Sequence, residues 1–116
     1  MPHTLRLLAA LLLLPLPLRA QRPVSVAVLG AMPEEIVLLR QRLQGLAVRR
    51  VGGVEFLEGT LAGRPVVVAR VGVGKVNAAL TTTLLLEHYR PRRVVFTGVA
   101  GGLDSSLAAG DIVLAR

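Results

Sequence analysis

The chain has 116 residues, enough for one small domain, and 53% of them are hydrophobic, mostly in the valine, leucine and alanine mix typical of strands that alternate with helices. It has no cysteine, which excludes disulfides and thiolate metal sites, and its two histidines, His3 and His88, are too distant in sequence to suggest a metal site. The formal net charge of +7 would suit a nucleic-acid partner, but the arginines are scattered and only Phe56, Tyr89 and Phe96 are aromatic, so no nucleic-acid partner is expected.

The first twenty residues have the proportions of a secretory signal peptide. An apolar run over residues 7–18 follows one arginine, and it is shorter than the roughly 20 residues that span a bilayer. Leu18 and Ala20 occupy the minus-three and minus-one positions before Gln21. We therefore expect residues 1–20 to be removed, residues 21–116 to form a partial domain, and the mature protein to be exported, to the periplasm or the exterior, with no stable membrane anchor. The alternatives are an uncleaved interfacial anchor or a wrongly assigned start, which would leave the protein in the cytoplasm.

The rest of the chain alternates between strand and helix patterns. Residues 54–60 and 66–70 form a predicted hairpin around a turn at residues 61–64. Helices are predicted at residues 34–43 and 75–88, the second ending just before Pro91. Further strands are predicted at residues 24–29 and 94–97, and another begins at residues 111–115. This order predicts an α/β fold with a largely parallel sheet.

Three loops rich in small residues follow predicted strands. They read "GAMPEE", "VGVGKVNAA" and "TGVAGGL". Ligands of open parallel sheets bind outside the carboxyl ends of the strands, and glycine lets the backbone approach them closely. Each loop alone could simply make a tight turn, but three together predict a binding site at one edge of the sheet.

Two familiar nucleotide-binding motifs are incomplete here. A Walker A loop needs Ser or Thr after Gly-Lys, whereas Val76 follows Lys75, and Ala69 stands where the first glycine belongs. The "GVGKVN" segment has Asn77 in place of the third glycine of a dinucleotide fingerprint. Neither motif therefore supports a phosphate or dinucleotide site.

Four segments together, "GAMPEEIVLL", "RVGVGKVNAAL", "LLLEHYRP" and "FTGVAGGL…GDIV", resemble the 5′-methylthioadenosine/S-adenosylhomocysteine nucleosidases of the nucleoside phosphorylase superfamily. The resemblance covers about residues 24–116. It implies the N-terminal half of a mixed, largely parallel sheet flanked by helices. It also implies an N-glycosidic hydrolase that separates adenine from ribose in such nucleosides without a cofactor, and a homodimer when full length.

The resemblance also suggests roles for individual residues. It places the carboxylate that activates water at Glu35, and a helix N-terminus favours the negative charge that such a base needs. Met32 and Val73 would line the pocket for the ribose and the 5′-alkylthio group. Ala100 and Gly101 would bring backbone against the adenine. The adjacent Glu34 is interpreted as a solvated residue in the first turn of the helix, and Lys75 is interpreted as a structural residue rather than a catalytic one.

The sequence departs from the family at two points. Val99 would also contact the substrate region, but many members carry there a serine that helps to hold the nucleophilic water. The family's second half, which supplies the acid for adenine and a glutamate for the ribose hydroxyls, lies beyond this sequence, so the 116-residue chain alone is expected to be inactive.

Three other functions stay open. Another purine nucleosidase of the superfamily is one. A phosphorylase is less expected, because Phe96 stands where phosphorylases carry a phosphate-binding arginine and the acids Glu34 and Glu35 would repel phosphate. A non-catalytic nucleoside-binding module is the alternative from another class.

Overall fold

A computed structural model describes residues 24–115, which form a five-stranded mixed sheet with one helix on each face. The strand order is β2-β3-β4-β1-β5, and β1 pairs in parallel with both β4 and β5. The predicted signal peptide, residues 1–20, lies outside the described residues. The elements are β1 (Val26–Gly30), α1 (Pro33–Arg42), β2 (Gln44–Val51), β3 (Val54–Leu61), β4 (Arg64–Arg70), α2 (Lys75–Tyr89) and β5 (Arg93–Phe96).

The core consists of two apolar layers, one on each face of the sheet. Successive side chains of a strand point to opposite faces. On β4, Val66 and Val68 accordingly pack with Ile36 of α1, whereas Val67 and Ala69 belong to the cluster that contains Leu85 of α2. Strand β1 is apolar on both faces, as expected of a central parallel strand.

Helix α2 ends where the sequence predicted. Thr81 and Leu85 are four residues apart and both buried, so one stripe of the helix faces the sheet. Arg90 closes the helix in the left-handed conformation (φ 44°), and its N–H donates to the carbonyl of Leu86 at 3.2 Å. Pro91 follows and cannot continue the helix.

The sheet is mixed, but it is less parallel than the sequence suggested. Two strand pairs are parallel and two are antiparallel, because β2, β3 and β4 form a meander. Strand β2 was not predicted. It is exposed along almost its whole length, so no buried face gives it an apolar pattern. The feature of the sequence that could have indicated β2 is the pair Gly52-Gly53 between β2 and β3. Both residues have positive φ (55° and 81°), as a two-residue hairpin turn requires.

The strand predicted to begin at residues 111–115 is wrong. In the described chain these residues join no ladder, and Ile112, for example, is 88% exposed. An apolar run favours a strand, but a strand forms only where a neighbouring backbone accepts its hydrogen bonds. Within residues 24–115, no helix has both the length and the apolar character needed to cross a membrane.

Candidate active site at the carboxyl edge of the sheet

The three loops singled out in the sequence lie side by side at one edge of the sheet. They follow β4, β1 and β5, which are adjacent parallel strands with their carboxyl ends on the same edge. The backbone joins them just past the strand ends. Val71 N–H donates to the Gly30 carbonyl at 2.9 Å, and Thr97 N–H donates to the Leu29 carbonyl at 2.8 Å. The predicted convergence of the loops is therefore confirmed.

Glu35 connects two of these loops through its carboxylate. Its Oε2 accepts hydrogen bonds from the backbone N–H groups of Ala31, at 2.6 Å, and Met32, at 3.0 Å. Its Oε1 accepts from the backbone N–H of Val99 at 3.0 Å, across 64 positions of the chain. The half-buried side chain thus ties the loop after β1 to the loop after β5.

These hydrogen bonds also stabilise the charged form of Glu35. They hold the pKa of its carboxyl below the ordinary value of 4.5, mainly through the N–H of Met32 and then that of Val99. Partial burial acts in the opposite direction, and the N–H of Ala31 contributes further lowering. Glu35 is therefore ionised at neutral pH.

The start of α1 explains why Glu35 lies where it does. Met32 is the N-cap in an extended conformation (φ −115°), and Pro33 fixes the backbone of the first helical position. Glu35 is the third helical residue, the position from which a glutamate reaches back to the N–H of the cap. Its neighbour Glu34 is exposed, and the hydrogen bonds from Ala31 and Met32 go to Glu35 instead. The same geometry that caps the helix therefore aims one carboxylate at the loops.

The other predicted site residues lie on the same edge at different distances from Glu35. Met32 and Val99 are brought to it by their backbone N–H groups. Val73, 74% exposed, is in the loop after β4, and Ala100 and Gly101 are exposed just beyond Val99. Among the described residues, none of these last three is hydrogen-bonded to Glu35.

Asn77 shapes the loop after β4, although the sequence offered it only as a departure from a dinucleotide motif. Asn77 is in the first turn of α2, and its Nδ2 donates to the Val73 carbonyl at 2.8 Å. Gly72 and Gly74 both have positive φ (78° and 103°), which disfavours a side chain at either position. The two glycines and the amide together make the tight turn, and they explain the "GVGKVN" pattern without a nucleotide.

A groove of about 790 Å³ lies next to this edge. Its walls include Pro33 and Arg40 of α1, Glu55 of β3, and Asn77 of α2. Glu55 pairs there with Arg40 at 3.6 Å and with Arg50 at 3.2 Å. These charges are paired with one another at largely exposed positions. The candidate site is therefore at Glu35, where an ionised group and the backbone of two loops meet.

The chain resembles known nucleosidases in sequence. It is 49% identical over 89 residues to the 5′-methylthioadenosine/S-adenosylhomocysteine nucleosidase of Bacillus thuringiensis (strain Al Hakam). That match includes 77% of this chain but only 38% of the relative, so the chain spans well under half the length of the curated relatives it matches.

Solved structures give the same result. The nucleosidase of Neisseria meningitidis in complex with methylthio-immucillin-A has a TM-score of 0.72 at 42% identity, over 75% of this chain and 38% of that one. The nucleosidase of Colwellia psychrerythraea 34H in complex with adenine has a TM-score of 0.74 at 38% identity, over 78% and 37%. The futalosine hydrolase of Helicobacter pylori has a TM-score of 0.68 at 33% identity, over 74% and 37%. The sequence profile of the phosphorylase superfamily matches residues 25–116. The chain belongs to the phosphorylase superfamily.

Proposed function

We propose that the full-length protein hydrolyses the N-glycosidic bond between adenine and ribose in nucleosides of the 5′-methylthioadenosine/S-adenosylhomocysteine type. The observation that carries this proposal is the Glu35 carboxylate, ionised and fixed by three backbone N–H groups at the edge where ligands of parallel sheets bind. Similarity to nucleosidases with adenine and with methylthio-immucillin-A bound supports the substrate class.

Glu35 is suited to act as the base that activates water. A carboxylate has about four acceptor sites. Three N–H groups already occupy sites on Glu35, which leaves about one for a water proton. The water oxygen forms a bond to C1′ of the ribose, its proton passes to Glu35, and the electrons of the breaking C1′–N bond move to adenine. Cleavage of glycosidic bonds passes through a transition state resembling an oxocarbenium ion.

Adenine leaves more readily when it is protonated, and the family resemblance assigns that acid to the second half of such enzymes. Hydrolysis therefore depends on more of the protein than residues 24–115. The first half contributes the water-activating carboxylate and one wall of the pocket. Met32 and Val73 would give this wall apolar side chains for the ribose and the 5′-alkylthio group, and Ala100 and Gly101 would bring backbone against the adenine.

Water is a better candidate than phosphate as the nucleophile. Phosphorolysis needs cations around an anion, whereas the loop after β1 presents Glu34 and Glu35, and Phe96 stands where the resemblance would place a phosphate-binding arginine. Release of adenine from methylthioadenosine by the full-length protein, measured with and without added phosphate, tests this. Turnover that requires phosphate would show a phosphorylase.

A second candidate is a nucleosidase for another purine nucleoside. The similarity to the Helicobacter pylori futalosine hydrolase favours it, because that protein shares the fold of this half at 33% identity. Rates on a panel of purine nucleosides would distinguish the two. Binding of nucleosides without any cleavage would instead identify a non-catalytic binding module.

The cellular setting is part of the same proposal. The composition of residues 1–20 supports export with cleavage after Ala20, leaving a mature partial domain at residues 21–116. A homodimer in the full-length form follows the family resemblance. Sedimentation of the full-length protein would test the dimer, and a monomer at micromolar concentration would contradict it.

A further inference from the structure

Gly98, the second residue after β5, lies against the carboxylate of Glu35. A Cβ built on Gly98 would come within 2.7 Å of Oε1, 2.9 Å of the carboxyl carbon and 3.0 Å of Oε2 of Glu35, and these are its three nearest atoms. Contacts this short cannot form without movement. The space that any other residue would fill at position 98 is thus occupied by the Glu35 carboxylate.

The backbone of Gly98 does not explain the glycine by itself. Its φ lies outside the left-handed region, where glycine would be preferred, so alanine could adopt the conformation. Gly74 and Gly110 differ, because both have φ of 103° and nothing near an added Cβ. A Gly98→Ala change would therefore displace the Glu35 carboxylate, the end of a flexible side chain, and would not strain the backbone of residue 98.

Gly30 gives the carboxylate a second wall without a side chain. A Cβ on Gly30 would lie 3.4 Å from Oε2 of Glu35 and 2.7 Å from Cγ2 of Ile36. The carboxylate is thus packed between the end of β1 and the loop after β5. This packing brings Oε1 to the Val99 N–H, the next residue after Gly98.

We propose that Gly98 is a positioning residue for Glu35: the absence of a side chain at position 98 lets the carboxylate reach the Val99 N–H and hold the orientation in which it accepts a proton from water. The proposal rests on the function proposed above for its catalytic consequence. Its geometric part stands on the distances alone.

The first test is a double-mutant cycle on the stability of the full-length protein. Gly98→Ala should lower the urea midpoint in the wild-type background and should have little effect in a Glu35→Ala background, where the colliding carboxylate is gone. Gly102→Ala is the matched control, because its added Cβ meets only Leu107 at an ordinary 3.7 Å. An equal loss from Gly98→Ala in both backgrounds would overturn the proposal, as would a Gly98→Ala chain that fails to fold and is not rescued by Glu35→Ala.

The second test measures the pKa of Glu35 by carbon-detected NMR of the labelled carboxyl, with Glu35→Gln as the assignment control. Gly98→Ala should displace Oε1 from the Val99 N–H and raise that pKa, whereas Gly102→Ala should leave it unchanged. A general loss of packing would not move the carboxyl pKa selectively. An unchanged pKa in a folded Gly98→Ala protein would refute the positioning role.

In the active full-length enzyme, Gly98→Ala should lower kcat by on the order of 10²-fold, the size of effect seen when a catalytic group is misplaced by about 1 Å, with a much smaller change in KM. The acidic limb of its pH–rate profile should move to higher pH, because a base with a raised pKa stays protonated, and so inactive, up to a higher pH. If the wild-type protein cleaves no nucleoside, the proposed function fails, while the stability cycle and the NMR titration still decide the role of Gly98.

Discussion

Oε1 of Glu35 accepts a hydrogen bond from the backbone N–H of Val99 at 3.0 Å, joining the first turn of α1 to the loop after β5. The donor is the main chain, so replacing the side chain of Val99 leaves this bond available. Replacing the side chain of Glu35, in contrast, removes the acceptor of this bond and also of the bonds from the N–H groups of Ala31 and Met32.

Replacing the carboxylate by an amide should affect both catalysis and folding. In the full-length protein, Glu35→Gln should lower kcat by at least about 10², the lower end for loss of a general base. A glutamine amide has only one acceptor oxygen. When that oxygen accepts from the N–H groups of Ala31 and Met32, the NH2 group faces the N–H of Val99, which is also a donor. We therefore expect the Val99 amide to exchange its hydrogen faster in the variant.

Glu34→Gln is the matched control for that experiment. Glu34 is exposed one residue away on the same helix, and its replacement should change kcat by less than about tenfold, because it leaves the proposed base, Glu35, in place. Equal losses from the two variants, or a larger loss from Glu34→Gln, would show that the roles of the two acids are assigned wrongly.

The hydrogen bonds of Glu35 should make stability depend on pH at the acidic end. The pKa of Glu35 is lowered in the folded protein, so its contribution is fully present above the ordinary value of 4.5 and is lost as pH falls through the lowered value. Urea unfolding of wild type and Glu35→Gln should therefore differ most near neutral pH and converge in acid. A difference that grows as pH falls would contradict the direction of the shift.

Tyr89 should anchor the end of α2 to β3. Its hydroxyl donates to Oε1 of Glu58 at 2.7 Å, and its ring packs on Phe56 with centroids 5.2 Å apart. Tyr89→Phe keeps the ring but removes the donor, so the free energy of unfolding should fall by about 1–3 kcal/mol, the range for a bond to a charged group or for an acceptor left unpaired. Chemical denaturation at neutral pH measures this.

Burial, with the bond to Glu58, also raises the pKa of Tyr89 above its ordinary value of 10.0. A spectrophotometric titration should accordingly show the phenol of Tyr89 ionising at a higher pH than that of free tyrosine. Ionisation at or below the ordinary value would mean that the contact with Glu58 is absent in solution.

The 116-residue chain alone should not release adenine from methylthioadenosine. The chain matches only 38% of the length of its nucleosidase relatives, and general acid catalysis of the leaving group is typically worth about 10²–10⁴-fold. A sensitive adenine-release assay on the purified chain checks this. Turnover that disappears in Glu35→Gln would show that residues 1–116 already contain a complete catalytic site.

Export should leave Gln21 as the first residue of the mature protein. The apolar run at residues 7–18, followed by Leu18 and Ala20 before the cleavage point, supports processing after Ala20. Intact-mass measurement on protein from the native host provides the test. A cytoplasmic, soluble species that retains residues 1–20 would contradict export.

The sequence determined the local elements that have their own apolar pattern. The strands β1, β3, β4 and β5 and the helices α1 and α2 were predictable, because continuous or alternating apolar runs favour strands and apolar residues at helical spacing favour helices. The common edge for the three loops rich in small residues was also predictable, because neighbouring parallel strands have their carboxyl ends at the same edge of the sheet. The family motif singled out Glu35 from its neighbour Glu34.

Only the tertiary structure decided what touches that carboxylate. The Val99 N–H and the empty side-chain position of Gly98 lie more than 60 residues from Glu35 in the chain, and no local pattern encodes their approach to within about 3 Å. The same reason explains the two errors in the strands. Exposed β2 exists because β3 offers its backbone as a partner, whereas the apolar residues 111–115 find none among the described residues. Periodicity reports burial, but pairing and close contact depend on which distant backbone lies alongside.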